Sequence, residues 1–178
     1  MVVDARRAPR KKYKNGVANF TKWKQEAMAK LLEDDILMKL MYYSTEDCLN
    51  KPNVPQEERD GLVYKQIYPY RFSDDIAEKK NSYISMGMSN FVPQEGFRQF
   101  SDDYMQGYFY FYVLVDRGIM RTNTGVRADL IADRIYQLFQ GQSVFGMGEA
   151  RLEAMVENWQ QQNDFGGYTI GFRVVDIK

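Results

Sequence analysis

The sequence predicts an α+β fold: a mostly antiparallel sheet packed against two or three helices, with an N-terminal basic arm. Three observations carry this. Residues 108–115, "YFYFYVLV", are aromatic or β-branched throughout, as in a buried strand. Residues 126–139 place Leu130, Ile131, Ile135, Leu138 and Phe139 on one helical stripe. Residues 168–177, "YTIGFRVVDI", alternate with the period of a strand.

The remaining elements follow in chain order. Residues 1–17 are read as a flexible arm carrying Arg6, Arg7, Arg10, Lys11, Lys12 and Lys14, with Pro9 and Gly16 breaking any helix. Those six residues are the candidate partner-binding site, for an acidic protein surface or a phosphate backbone. Residues 18–178 are read as a single domain. Phe20, Trp23, Ala27 and Leu31 recur at helical spacing, with Asn19 as the expected N-cap. A second helix, or a continuation of the first, is expected over 36–43 through Leu37, Leu40 and Met41.

Residues 44–61 hold Pro52, Pro55 and Gly61 and read as a loop with one helical turn starting near Pro55. Pro69 limits residues 67–72 to an edge strand or extended segment. Residues 81–93 alternate, with Ile84, Met86 and Met88 on one side, and end at Pro93. Residues 94–107 read as a long connection. The strand at 108–115 is expected to be covered on both faces. Asn123 or Thr124 should cap the next helix, with Arg127, Asp129, Asp133, Arg134 and Gln137 on its polar side and Gly141 stopping it. Residues 149–161 fit a helix through Leu152, Met155, Val156 and Trp159 better than a strand through Leu152, Ala154 and Val156. Gly166 and Gly167 are expected to form the turn before the last strand.

Composition narrows the chemistry. The hydrophobic fraction, 44%, and the charged fraction, 27%, are those of a globular chain. There is no histidine, which removes Ser–His and Cys–His nucleophilic triads and histidine metal sites. The single cysteine, Cys48, forms no internal disulfide and no cysteine-based zinc site. No P-loop string is present, and the two glycines of "GMGEA" at 146–150 lack the third glycine of a dinucleotide loop. No apolar run is long enough for a membrane span, and the basic N-terminus lacks the apolar core of a signal peptide. A soluble chain made in a cytoplasm is the expectation. Adjacent aspartates (Asp34 with Asp35, Asp74 with Asp75, Asp102 with Asp103) sit beside turns or helix starts, where aspartate caps and solvates. No catalytic residue, metal site or cofactor is therefore assigned. Thirteen tyrosines favour surfaces buried on assembly, because the ring is apolar and its tip is polar.

The segment "YFYFYVLV", followed by a loop, "GVRADLIADRIYQLFQG" and "GGYTIGFRVVDI", resembles the C-terminal half of the tail terminator (tail completion) and neck proteins of long-tailed bacteriophages. The helix at 19–32 stands where that family places its first helix. The resemblance covers most of the chain after residue 17, by pattern and order. It implies a structural virion protein of the tail or neck, assembled in the bacterial host cytoplasm. That protein would form a homo-oligomeric ring, usually a hexamer, at the head-proximal end of the tail. Its partners would be further copies of itself, the tail tube protein and a head completion or connector protein, with DNA passing through the ring and no membrane involved. The resemblance also makes residues 151–159 a strand, against the helical count. The basic arm and the long segment at 44–61 depart from the family pattern, which admits a head–tail adaptor. The alternative is a magnesium-dependent nuclease or phosphoryl-transfer enzyme using Asp74, Asp75, Asp102 and Asp103, with Lys79, Lys80 and the arm holding nucleic acid.

Overall fold

A computed structural model describes residues 18–71, 80–93, 104–146, 148–160 and 164–177. The basic arm, from Arg6 to Lys14, lies outside the described residues. So do Asp74, Asp75, Asp102, Asp103 and Lys79.

The fold is α+β, as the sequence predicts. Four helices occur among the described residues: α1 (Ala18–Glu33), α2 (Asp35–Tyr42), the short α3 (Gln56–Asp60) and α4 (Arg127–Phe139). The main sheet has the strand order β1-β2-β3-β7-β6, from β1 (Ile67–Tyr68), β2 (Ser82–Pro93), β3 (Tyr104–Asp116), β6 (Arg151–Gln160) and β7 (Phe165–Ile177). All pairings are antiparallel except β1 with β2, where Ile67 lies beside Ile84. A two-stranded hairpin, β4 (Arg121–Thr122) and β5 (Gly125–Val126), leads into α4.

The helices cover one face of the sheet. Ile84 and Met86 of β2, Phe109, Phe111, Val113 and Val115 of β3, and Ile170, Phe172 and Val174 of β7 point into a core shared with all three longer helices. From α4 come Ile131, Ile135 and Phe139, each fully buried, while Leu130 and Leu138 flank them half-buried. Burying each large apolar side chain contributes about 1.5–3 kcal/mol. Phe139 lies at the centre of an aromatic cluster, with its ring 4.6 Å from Phe111, 5.5 Å from Phe145 and 6.1 Å from Phe172. The pattern of α1 is also as expected, with Trp23, Ala27 and Leu31 buried.

Polar side chains staple the corner between α1 and α2. Asp34 caps α2 by accepting from the Leu37 amide at 2.7 Å, and it pairs with Arg134 of α4. Arg59 of α3 donates to the carbonyls of Val54 (2.7 Å) and Leu32 (3.0 Å) and pairs with Asp35. The last carbonyls of α1 thus gain a side-chain donor, which a helix C-terminus otherwise lacks. The Asp34–Asp35 pair is spent on this corner.

Several expectations are corrected. Arg127, expected on the polar side of its helix, is fully buried. The loop contacts described below draw it inward. Asn19 lies inside the first turn of α1, because the helix starts one residue earlier. Asn123 and Thr124 do not cap α4. The side chain of Thr122 accepts from the Gly125 amide at 3.1 Å and closes the β4–β5 turn. Val126 stands at the cap without a side-chain bond, and the Arg127 amide donates instead to the Met120 carbonyl at 2.7 Å.

Residues 104–107 belong to β3, not to the preceding connection, because they pair with β7 from Tyr104↔Ile177 to Gly107↔Val174. Gly107 is required there: a Cβ would stand 2.4 Å from the Phe91 ring. Gly166 and Gly167 lie within β7, and Asp164, at φ 57°, takes the turn. A Cβ at Gly167 would meet the Val113 carbonyl oxygen at 2.0 Å, so the close approach of β3 explains the glycine.

Residues 151–160 are strand β6, which overturns the helical count. A register shift between Leu152 and Ala154 displaces the alternation, and as an edge strand β6 leaves Met155 and Val156 exposed. A displaced period-2 pattern of this kind imitates a helical stripe. Finally, the helices cover only one face of β3. Its other face carries a row of tyrosines that no helix covers among the described residues.

Candidate functional site

Tyr108, Tyr110 and Tyr112 alternate with the buried Phe109, Phe111 and Val113, so they project from the face opposite the helices. The strand pattern makes this unavoidable: burying one set of aromatics presents the other. The rings form a continuous row, with centroids 5.9 Å apart from Tyr108 to Tyr110 and 6.0 Å apart from Tyr110 to Tyr112. Glycines on the neighbouring strands let the rings lie across the sheet. A Cβ at Gly171 would stand 2.8 Å from Tyr110, and one at Gly87 would stand 2.9 Å from Tyr112. Arg71 places its guanidinium 5.4 Å from the centre of the Tyr112 ring.

At one end of the row, Arg173 donates to Glu153 at 3.0 Å. Glu153 also hydrogen-bonds Tyr108 and pushes its phenol up, with the carboxylate charge adding to the effect. At the other end, Tyr83, Leu114 and Phe165 form a small buried cluster with Tyr68 packed against it. Ring contacts then continue from Tyr68 to Tyr70 (5.6 Å) and from Tyr70 to Tyr64 (6.3 Å), and both of these outermost rings are exposed. The result is a broad, half-buried aromatic surface with polar tips, the composition that marks protein interfaces.

On the helix side of β6, a groove of about 330 Å³ runs between α4 and the sheet, lined by Asp129, Ala132, Asp133, Tyr136, Leu152, Met155 and Tyr168. Tyr168 donates to Asp129 at 2.8 Å. That hydrogen bond, with burial and the charges of Asp129 and Glu157, pushes the Tyr168 phenol up to about 12. The floor is apolar and the rim acidic. Asp129, Asp133 and Glu157 take part in none of the ion pairs among the described residues.

Among the described residues, Arg127 is the largest fully buried side chain. It donates to four backbone carbonyls: Leu40 (2.6 Å), Tyr43 (2.7 Å), Thr45 (2.8 Å) and Ile119 (2.8 Å). Burial pushes its guanidinium below the usual value, and the adjacent Cys48 opposes that shift. The four acceptors come from the end of α2, the loop after it and the turn before β4. This is a structural clamp, and Cys48 is buried beside it.

Among the described residues, no three side chains of the His, Cys, Asp and Glu type converge as a metal-binding group. No helix of the described chain is long and apolar enough to cross a membrane. The tyrosine row was legible as an excess of one residue type but not as a located surface. The acidic groove is not legible from the helical count over 149–161; it depends on residues 151–160 being a strand, as the resemblance implies, and on that strand lying beside α4 and β7.

The model of the YomW family matches residues 34–174, from the start of the α1–α2 corner into β7, and the chain belongs to that family. The family assignment points to a phage-related protein. No curated protein matches the chain.

Proposed function

We propose that this YomW-family chain is a structural virion protein, a tail terminator or head–tail joining component. It acts as a homo-oligomeric ring, hexameric by the resemblance, at the head-proximal end of a phage tail. The observation that carries the reading is the tyrosine row of Tyr108, Tyr110 and Tyr112 on the uncovered sheet face. Aromatic rings with polar tips tolerate water before assembly and release it afterwards, so such a face suits a contact made late between preformed subunits. Further support comes from the phage-related family and from the order of strand, helix and two closing strands.

In this reading the protein works by shape. One copy buries its tyrosine face against the next, and closure of the ring ends polymerisation of the tail tube. The ring then offers a surface to the head completion or connector protein and leaves a channel for DNA. The basic arm, with Arg6, Arg7, Arg10, Lys11, Lys12 and Lys14, docks on a neighbouring protein surface. Tight binding of phosphates in the channel would hinder DNA that must slide through.

The test is a phage carrying a stop codon early in this gene. Electron microscopy is expected to show filled heads separate from tails, or tails of uncontrolled length. Normal joined particles, or magnesium-dependent cleavage of DNA by the purified chain, would overturn the reading in favour of no neck role or of the phosphoryl-transfer alternative.

A further inference from the structure

We infer that the groove between α4 and β6 is the receptor for the basic N-terminal arm of a second copy of this chain. The inference rests on the ring reading and adds to it the contact that joins one copy to the next.

Charge is segregated along the chain. Six of the 24 basic side chains but only one of the 24 acidic ones fall in residues 1–17, leaving 18 basic against 23 acidic in residues 18–178. The arm therefore carries net +5 and the rest of the chain net −5. The groove concentrates that negative charge: Asp129 and Asp133 line it, Glu157 stands beside Tyr168 on the neighbouring strand, and no basic side chain lines it among the described residues. Its apolar floor of Ala132, Leu152 and Met155 suits the aliphatic stems of lysine and arginine and the ring of Tyr13.

The arm enters the fold at α1, whose Phe20 packs 4.7 Å from Phe91 of β2. The groove lies along β6, at the opposite edge of the sheet order. A donor beside β2 and a receptor along β6 make a head-to-tail contact, which repeats from copy to copy and closes as a ring where the rotation between copies closes. Seventeen residues reach at most roughly 60 Å when extended, enough to pass from one copy to the next. The groove and the tyrosine row lie on opposite sides of the sheet. An arm crossing the β6 edge would therefore clamp an interface formed on the tyrosine face.

The test uses two full-length variants. The first reverses the arm: Arg10→Glu, Lys11→Glu, Lys12→Glu and Lys14→Glu. The second reverses the groove rim: Asp133→Lys and Glu157→Lys. Asp129 is kept because it holds Tyr168. Oligomer mass is read by light scattering, and near-ultraviolet circular dichroism reports the fold of each variant. Wild-type assembly is expected to weaken at least about tenfold from low to high salt. Each variant alone is expected to be folded and monomeric, because like charges now face each other. An equal mixture is expected to recover the wild-type mass, because the acidic arm fits the basic rim and the basic arm fits the acidic rim. Variants that assemble alone like wild type would overturn the arm contact and leave the ring intact. A mixture that stays monomeric beside a wild-type ring would also overturn it. A wild-type chain that is monomeric under all conditions would overturn both the contact and the ring.

Discussion

Arg127→Ala is expected to lower the unfolding free energy by at least about 3 kcal/mol, read from chemical denaturation, because several buried acceptors lose their donor at once. The guanidinium supplies hydrogen bonds to Leu40, Tyr43, Thr45 and Ile119, and all four acceptors are main-chain carbonyls. Leu40 lies in the last turn of α2, where carbonyls have no partner within the helix and a cation is favoured by the helix dipole. Arg127→Lys should recover little of the loss, since a point charge on one flexible stem cannot serve four carbonyls spread across three segments. A loss below about 1 kcal/mol for the alanine variant would mean that water replaces the guanidinium without cost and that the clamp is incidental.

Phe139→Ala is expected to cost about 3–5 kcal/mol, the range for an aromatic ring deleted from a core. Its ring lies against Phe111 and Phe172 on two strands and Phe145 in the loop after α4. The void would therefore open where helix, sheet and loop meet, and no single neighbour can fill it. Thermal or denaturant unfolding measures the loss. An unchanged midpoint would show that this cluster is not the centre of the core.

The parts of the fold set by local patterning were legible in advance. The stripe of Ile131, Ile135 and Phe139 and the burial of Trp23, Ala27 and Leu31 follow from period alone. Pro69 directly follows β1, which is a two-residue strand at the sheet edge, as a segment interrupted by proline is expected to be. What failed was decided by partners distant in sequence. By period Arg127 is one more charged residue on a polar helix face, and it is internal because the carbonyls of Leu40, Tyr43 and Thr45, over 80 positions away, join that of Ile119 as its acceptors. The strand β6 was hidden by one irregular residue pairing and by its position at an edge, where exposure removes the alternation. Tyr104–Gly107 joined β3 because two neighbouring strands paired with it, against the weak strand preference of glycine. The candidate surface was half legible. An excess of tyrosine indicated an interface, but its location required knowing which face the helices cover. The arm was visible as charge, and its proposed receptor emerged only when α4, β6 and β7 were placed side by side.

The proposed ring requires the tyrosine row to be buried between copies of the chain. The most direct test is the solution mass of the full-length protein and of Tyr110→Ser/Tyr112→Ser, measured by light scattering over a wide concentration range. On the proposed ring, the wild-type chain is expected to give a closed oligomer of more than two copies. The double variant is expected to be a folded monomer with the far-ultraviolet circular dichroism of the wild-type chain, since these rings are only half-buried within one copy, and to melt below the wild-type oligomer because it loses the stabilisation of assembly. A wild-type chain that stays monomeric, or a double variant that assembles as well as wild type, would contradict the account.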